Sequence, residues 1–288
     1  MMRKKPMLAY PVSTKPIDYN EPVFIQPKLD GVRCIIQQEF HKDGDKVVAY
    51  SRTGKEWKNI DHILEELKLF FHSYPNVILD GELYNHDLKN DFEKIISLVR
   101  KTKPTAEDRV ESSEMVQFHC YDIIDEELLY DHRNEFINQS LMLLGDSIYT
   151  VETTQCFTEG DAKVFHKDNL EMGYEGSIVR TNDVYKCGRS WSLRKFKDFS
   201  DAEAYIVGYE EGKGKRTGTL GKFIMQDDDG IEFGCPPGKG FDYQAMKDLL
   251  FRAQWYVDHK ARATFTYFER TKAGSYRHPL FKCIRDYE

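Results

Sequence analysis

Short apolar runs broken by polar turns dominate the first 199 residues. V-F-I-Q-P at 23–27 stops at Lys28, and C-I-I at 34–36 resumes the run, a pattern of strand, tight turn and strand. V-V-A-Y-S-R-T at 47–53 predicts a further strand. N-V-I-L-D-G-E-L-Y at 76–84 predicts one whose end carries acids, and V-Q-F-H-C-Y-D-I-I at 116–124 a buried one. S-I-V-R at 177–180 and L-R-K-F-K at 193–197 complete the set. Ile60, Ile63, Leu64, Leu67 and Phe71 fall at helical spacing over 60–72. F-E-K-I-I-S-L-V-R at 92–100 reads as an amphipathic helix, and a further helix is expected near 133–143. Strands prevail without regular alternation of strand and helix, which points to antiparallel sheets flanked by helices, an α+β class.

The texture changes after residue 199. A-E-A-Y-I-V-G-Y, G-K-F-I-M-Q, I-E-F-G-C and A-T-F-T-Y-F-E-R are short alternating strands split by Gly and Asp turns, with one helix at 243–256. About five strands in under 90 residues suit a small Greek-key barrel such as an OB-fold. The expected division is a first domain at 1–199 and a barrel at 200–288, with the linker near 197–201.

With 288 residues, 40% of them hydrophobic, the chain has material for a real core. No apolar run approaches the ~20 residues that span a bilayer, so no membrane partner is expected. The basic start M-M-R-K-K is interrupted by Pro6, Pro11 and Pro16 and has no apolar stretch of a signal peptide. Six scattered cysteines without a C-x-x-C pair suit reduced thiols in a cytoplasm better than a zinc site. A net charge of −7 argues against nucleic-acid binding by global charge. Residues 201–288 hold 14 Lys/Arg and 14 Asp/Glu, so any DNA contact must use local basic faces.

The candidate chemistry lies in charged clusters at the ends of the apolar runs. K-L-D-G-V-R at 28–33 sets Lys28, Asp30 and Arg33 around a turn. A protonated lysine is no nucleophile, so Lys28 needs neighbours that favour the neutral amine. Lys195 and Lys197 are two apart on one strand and share a face, where they bind phosphate and act on a third lysine. Asp30 is placed to orient the amine or a metal-bound water. Gly31 admits a close ligand, and Arg33 offers a planar fork for phosphate or ribose oxygens. Asp80-Gly81-Glu82 and Glu175-Gly176 put carboxylates at strand ends. Tyr121 is either a stacking surface or a core aromatic. Arg52, in S-R-T-G at 51–54, suits a phosphate, and Arg189 is a second phosphate contact or a loop arginine. G-K-G-K-R-T-G-T-L-G-K at 212–222 carries Lys213, Lys215, Arg216 and Lys222, along a DNA backbone or on a solvated hairpin.

Taken in order, K-L-D-G-V-R, S-R-T-G, L-D-G-E-L, Y-E-G-S-I-V and R-K-F-K resemble the motifs of the covalent nucleotidyltransferases: ATP-dependent DNA ligases, RNA ligases and mRNA capping enzymes. The tail Y-R-H-P-L-F-K-C-I-R at 276–285 and F-G-C-P-P-G-K-G-F at 233–241 resemble DNA ligases of minimal viral or phage type. The resemblance implies a two-domain α+β nucleotidyltransferase: a mixed antiparallel-sheet, ATP-grasp-like adenylation domain followed by an OB-fold. It implies Lys28 as the nucleophile that carries AMP, Asp30, Lys195 and Lys197 as catalytic groups, and the last two as α-phosphate ligands. Glu82 would hold the ribose, Tyr121 would stack on the purine, and Gln26 and Pro27 would read the base mainly through backbone groups. Glu175 with Asp30 would bind Mg²⁺, with Mn²⁺ able to substitute. Arg277 and Arg285 would reach the triphosphate of ATP. Arg33, Arg52, Arg189, Lys213, Lys215, Arg216 and Lys222 would contact DNA. The expected activity is sealing of nicked double-stranded DNA by a cytoplasmic monomer, in the host cytosol for a viral protein. A guanylyltransferase, an RNA ligase and an inactive binding module are the alternatives. No added N-terminal DNA-binding domain and no long latch insert are expected. A hinge is expected at 198–200.

Overall fold

The computed structural model describes residues 4–89, 91–141, 144–196, 200–238, 240–268, 270–271 and 274–285. Internal contacts divide the chain into two compact units, Met1–Lys197 and Asp198–Glu288. The expected hinge at 198–200 and the boundary at residue 199 fall largely outside the described residues.

The first unit is built from two five-stranded sheets. Its strands are β1 (Met7–Pro11), β2 (Val23–Pro27), β3 (Val32–Glu39), β4 (Lys46–Tyr50), β5 (Ile78–Tyr84), β6 (Gln117–Ile123), β7 (Ile148–Thr150), β8 (Thr154–Cys156), β9 (Ser177–Thr181) and β10 (Gly188–Phe196). One sheet runs β4-β3-β5-β6-β7 and the other β1-β10-β9-β2-β8. Pairing is antiparallel except at two edges, where β1 runs parallel to β10 and β7 parallel to β6. Its helices are α1 (Asp61–Glu66), α2 (Lys68–Ser73), α3 (Phe92–Val99), α4 (Ala106–Met115), α5 (Tyr130–Leu141) and α6 (Glu159–Glu171).

Each sheet buries apolar residues against helices. Ile36, Leu79, Phe118 and Cys120 of the first sheet pack on Ile63, Phe71, Leu98 and Ile137 from four helices. Val23, Ile25 and Val179 of the second pack on Ala162 of α6. The sheets meet each other through a smaller cluster that includes Ile35 and Ile78 on one side and Met7 and Leu193 on the other. Beside that cluster their facing surfaces stay polar, and the candidate site lies there.

The pattern at 60–72 is one apolar stripe but two helices, broken at Leu67. The strand expected to run to Thr53 ends at Tyr50, because the chain turns at 51–54: Gly54 takes φ +92° and donates its N–H to the Ser51 carbonyl at 2.9 Å. Helices α4 and α6 escaped the periodicity argument because each is largely polar. Both begin at a capping box instead, Thr105 with Asp108 and Thr158 with Asp161.

The second unit forms one antiparallel five-stranded sheet, β13-β12-β11-β14-β15. The strands are β11 (Ser200–Glu211), β12 (Leu220–Gln226), β13 (Glu232–Cys235), β14 (Arg262–Tyr267) and β15 (Leu280–Ile284). A bridge between Pro237 and Phe281 draws the two edges toward closure. Helix α7 (Tyr243–Asp258) contributes Ala253 and Tyr256 to a core with Phe223, Phe265 and Phe281. Among the described residues no helix is long and apolar enough to cross a membrane.

Two glycines of the charged motifs have a structural cause. Gly31, expected to admit a ligand, lies against β5: a Cβ there would sit 2.5 Å from Glu82 Cγ and from the Leu83 carbonyl. At Gly81 it would sit 2.5 Å from the His119 carbonyl and from Phe118 Cε2. These positions let three strands carrying the site approach closely. Gly81→Ala should destabilise the unit by about 1–3 kcal/mol through overpacking, read as a lower urea midpoint. An unchanged midpoint would show that β5 and β6 have slack there.

Candidate active site

Lys28 leaves the end of β2 and is fixed by its own backbone. Its N–H donates to the Gly176 carbonyl at 2.9 Å, and its carbonyl accepts from Glu175 N–H at 3.1 Å. This pairing brings two motifs 147 residues apart together, and Lys28 Nζ forms an ion pair with the Glu175 carboxylate. The amine sits in a cleft of about 310 Å³ whose lining includes Gln26, Lys28, Arg33, Arg52, Glu82, Tyr121, Ile178, Arg180, Arg189 and Lys195.

Nine residues expected at the site thus share one cleft: Gln26, Pro27, Lys28, Arg33, Arg52, Glu82, Tyr121, Arg189 and Lys195. Glu175 joins through Lys28. Asp30 is half-buried in the following turn and is not among the lining residues. Lys197 lies outside the described residues. The remaining candidates belong to the second unit. Arg277 Cζ lies 6.0 Å from the Phe268 ring centre, and Arg285 pairs with Glu203 at 2.7 Å. Lys222 pairs with Glu210 at 3.0 Å, while Lys213, Lys215 and Arg216 are exposed in the turn before β12.

Two buried carboxylates organise the cleft from behind. Asp80 on β5 and Asp122 on β6 are register partners, and both are fully buried. Arg33 donates to both oxygens of Asp80 through Nε and Nη2. Tyr185 O–H donates to Asp80 Oδ2 at 2.7 Å and accepts from Met7 N–H at 2.6 Å. Asp122 accepts from Arg133 at 2.7 and 3.2 Å and from Arg180 Nη1 at 2.6 Å. The expected free fork of Arg33 is therefore mostly committed to Asp80, which fixes where the guanidinium sits.

Arg180 also reaches forward, its Nε donating to Gln26 Oε1 at 2.8 Å. The Gln26 amide donates to Thr153 Oγ1 at 2.9 Å and to the Tyr121 carbonyl at 3.4 Å. Thr153 Oγ1 donates its own hydrogen to the Val151 carbonyl at 3.1 Å, so it accepts from Gln26. Both amide hydrogens are used, and the carboxamide oxygen keeps one lone pair. Arg180, Asp122, Arg133 and Tyr185 were not expected from the sequence. Arg180 and Asp122 did carry a signal, a charge inside an apolar run, S-I-V-R and C-Y-D-I-I, since buried charges occur in pairs, whereas Arg133 in a largely polar helix and Tyr185 in a loop carried none.

Tyr121 O–H donates to Glu82 Oε2 at 3.1 Å, and its ring lies 5.1 Å from Arg33 Cζ and 5.6 Å from Arg180 Cζ. Burial pushes the Glu82 carboxyl up to about 7, against the pull of Arg33, Lys28 and the Tyr121 hydrogen bond. Burial likewise holds the Tyr121 phenol well above its ordinary value, so it stays a donor. The folded chain binds the Glu82 proton more tightly than the unfolded one. Stability therefore falls as pH rises from about 4.5 through 7. Glu82→Gln should lose less unfolding free energy between pH 5 and pH 8 than the native protein does, measured by urea titration at each pH. Equal losses would place the carboxyl at its ordinary value.

The sequence of residues 6–197 matches the ATP dependent DNA ligase domain, and residues 211–285 match the DNA ligase OB-like domain. A DNA ligase of African swine fever virus is 33% identical over 215 residues, covering 70% of this chain and 48% of that protein. The chain thus spans about half the length of the curated relatives it matches. A structure from a study of Lig E DNA ligases, described as binding DNA with a minimal scaffold, shares the fold with a TM-score of 0.77 at 22% identity. It is covered completely, and 99% of this chain is matched. The ATP-dependent DNA ligase of bacteriophage T7, in complex with ATP, has a TM-score of 0.59 at 18% identity, with 98% of both chains matched. With an adenylation-type unit and an OB-like unit each matched in order, the chain belongs to the ATP-dependent DNA ligase family.

Proposed function

We propose that this protein is an ATP-dependent DNA ligase that seals 5′-phosphate/3′-hydroxyl nicks in duplex DNA. The observation that carries the reading is the convergence of Lys28, Glu82, Tyr121, Arg33 and Lys195 on one cleft, with Glu175 paired to the lysine. In the first step Lys28 leaves its ion pair, sheds a proton and attacks the α-phosphorus of ATP. The N–P bond forms as pyrophosphate departs. AMP then passes to the 5′-phosphate of the nick, and the 3′-hydroxyl displaces it. Lys195 and Lys197 neutralise phosphate charge, Glu82 accepts from the ribose hydroxyls, and Tyr121 lies against the purine. Positioning and charge neutralisation do most of the work in such transfers.

Among the described residues no cluster of three or more His, Cys, Asp or Glu side chains gathers. Those residues therefore offer no all-protein metal cage. Glu175, with Asp30 nearby in sequence, fits a hard cation that takes its other oxygens from phosphates and water. A bound Mg²⁺ would neutralise phosphate charge there, and Mn²⁺ would substitute. Residues 1–199 act as the adenylation domain and 200–288 as the OB domain, hinged at 198–200. Arg277 and Arg285 serve the triphosphate. Arg52 and Arg189 serve the nick phosphate, and Lys213, Lys215, Arg216 and Lys222 the DNA backbone. The Lig E structure, described as binding DNA with a minimal scaffold, supports a DNA grip built from these two units, and the protein acts as a monomer. Six free cysteines suit a reducing cytosol.

Adenine is favoured over guanine by the saturated Gln26 amide. Its remaining lone pair accepts from a 6-amino group, whereas a 6-oxo group would meet it oxygen to oxygen. Thr153→Val frees one amide hydrogen and should raise use of GTP relative to ATP roughly tenfold, the scale of one good hydrogen bond. An unchanged ratio would exclude Gln26 from base selection.

Intact-protein mass after incubation with Mg²⁺ and ATP or GTP tests the whole reading. Protein first stripped with pyrophosphate should gain one AMP from ATP, and Lys28→Ala should gain none. A GMP adduct from GTP would instead point to capping chemistry, and no adduct with either would leave a binding module.

A further inference from the structure

Beside the cleft, β1 and β10 make an irregular pair. Met7, Leu8 and Ala9 align with Gly188, Arg189 and Ser190, but Tyr10 aligns next with Arg194. Residues 191–193 are therefore left without partners on β1, and this bulge delivers Trp191 onto Tyr10. The two rings are stacked, 3.7 Å between centres and 8° from parallel. A guanidinium closes each end of the stack. Arg189 Cζ lies 5.3 Å from the Tyr10 ring centre, and Arg194 Cζ lies 5.1 Å from that of Trp191. Arg194 is buried and tied to the Trp191 and Lys15 carbonyls. Arg189 is exposed, spends one Nη1 donor on the Ala9 carbonyl at 2.8 Å and lines the cleft with Arg52 and Lys195.

The four-membered column thus runs from a buried arginine held by two backbone carbonyls to an exposed one that, among the described residues, spends one donor. An exposed arginine ordinarily samples many rotamers, and ordering it on binding costs entropy. Stacking on an aromatic face and one backbone hydrogen bond remove much of that freedom in advance. A bulge beside a site that re-aims a side chain is a recurrent device. We propose that Tyr10 and Trp191 are positioning residues that hold Arg189 ready for the 5′-phosphate of the nick. This rests on the ligase reading, which supplies that phosphate. The competing account is that the column only welds β1 to β10 where their ladder is interrupted.

Binding of the adenylylated protein to two nicked duplexes, identical except for a 5′-phosphate or a 5′-hydroxyl, separates these accounts. The native protein should prefer the phosphate end, and Arg189→Ala should lose most of that preference. Trp191→Leu, which removes the ring that holds Tyr10 under Arg189, should lose roughly fivefold of it, the scale of the Tyr10–Arg189 cation–π contact that it loosens, with affinity for the 5′-hydroxyl duplex and self-adenylylation unchanged. Trp191→Phe should restore the preference. Adding Trp191→Leu to Arg189→Ala should cost nothing more, because the positioned group is gone. Equal weakening on both duplexes, or a phosphate preference indifferent to Trp191, would overturn the proposal while leaving the ligase reading intact. Absence of AMP on the native protein would overturn the ligase reading and this proposal with it.

Discussion

Asp80 and Asp122 face each other on neighbouring strands, both out of reach of solvent, and the site depends on how their charge is compensated. Two bare carboxylates at that spacing would repel each other and forfeit their hydration, a cost of several kcal/mol each. Three arginines and a tyrosine hydroxyl offset it. Each of these partners comes from a different part of the chain: Arg33 from β3, Arg133 from α5, Arg180 from β9, and Tyr185 from the loop before β10. Neutralising the pair therefore pins four segments in register at once. A structure assembled without one of them would leave a buried carboxylate short of part of its compensation.

The same contacts aim the groups at the front of the cleft. Arg33 cannot swing freely while its fork holds Asp80, and Arg180 sets which way the Gln26 carboxamide points. Tyr185 links Asp80 to the first strand through Met7, so the edge carrying Tyr10 is tied to the same carboxylate. Rigidity at the back becomes orientation at the front. Lys28 is held differently, by short backbone pairing with 175–176 and by an ion pair between its side chain and Glu175. A fixed backbone with a releasable side chain fits the nucleophile proposed for this position.

Two of the motifs were legible in the sequence because they mark strand ends, where apolar runs meet charge: K-L-D-G-V-R and Y-E-G-S-I-V each close or open a strand. L-D-G-E-L, expected to end a strand, instead lies inside β5 because both its neighbours, β3 and β6, continue the ladder past the acids, and all three motifs still meet at the cleft. Asp122 and Arg180 stood in equally plain view inside apolar strands, yet nothing local says which charge pairs with which. Gly31 illustrates the opposite error. Its freedom from a Cβ was read as room for a ligand, but the space is filled by Glu82 and Leu83 of a strand about fifty residues away. The parallel edges of both sheets were equally hidden, since β1 and β7 are short and lack a distinguishing period.

The sequence by itself determined the two-part architecture and brought out most residues that line the cleft, Lys28, the proposed nucleophile, among them. Hydrophobic period, turn residues and charge at strand ends are local properties, written in neighbouring positions. Only the tertiary structure decided which charges neutralise each other, that Glu175 takes the lysine, and that a bulge stacks Trp191 on Tyr10. Those outcomes depend on register and strand order, and pairing energies between residues 58 or 147 positions apart leave no trace in the pattern along the chain.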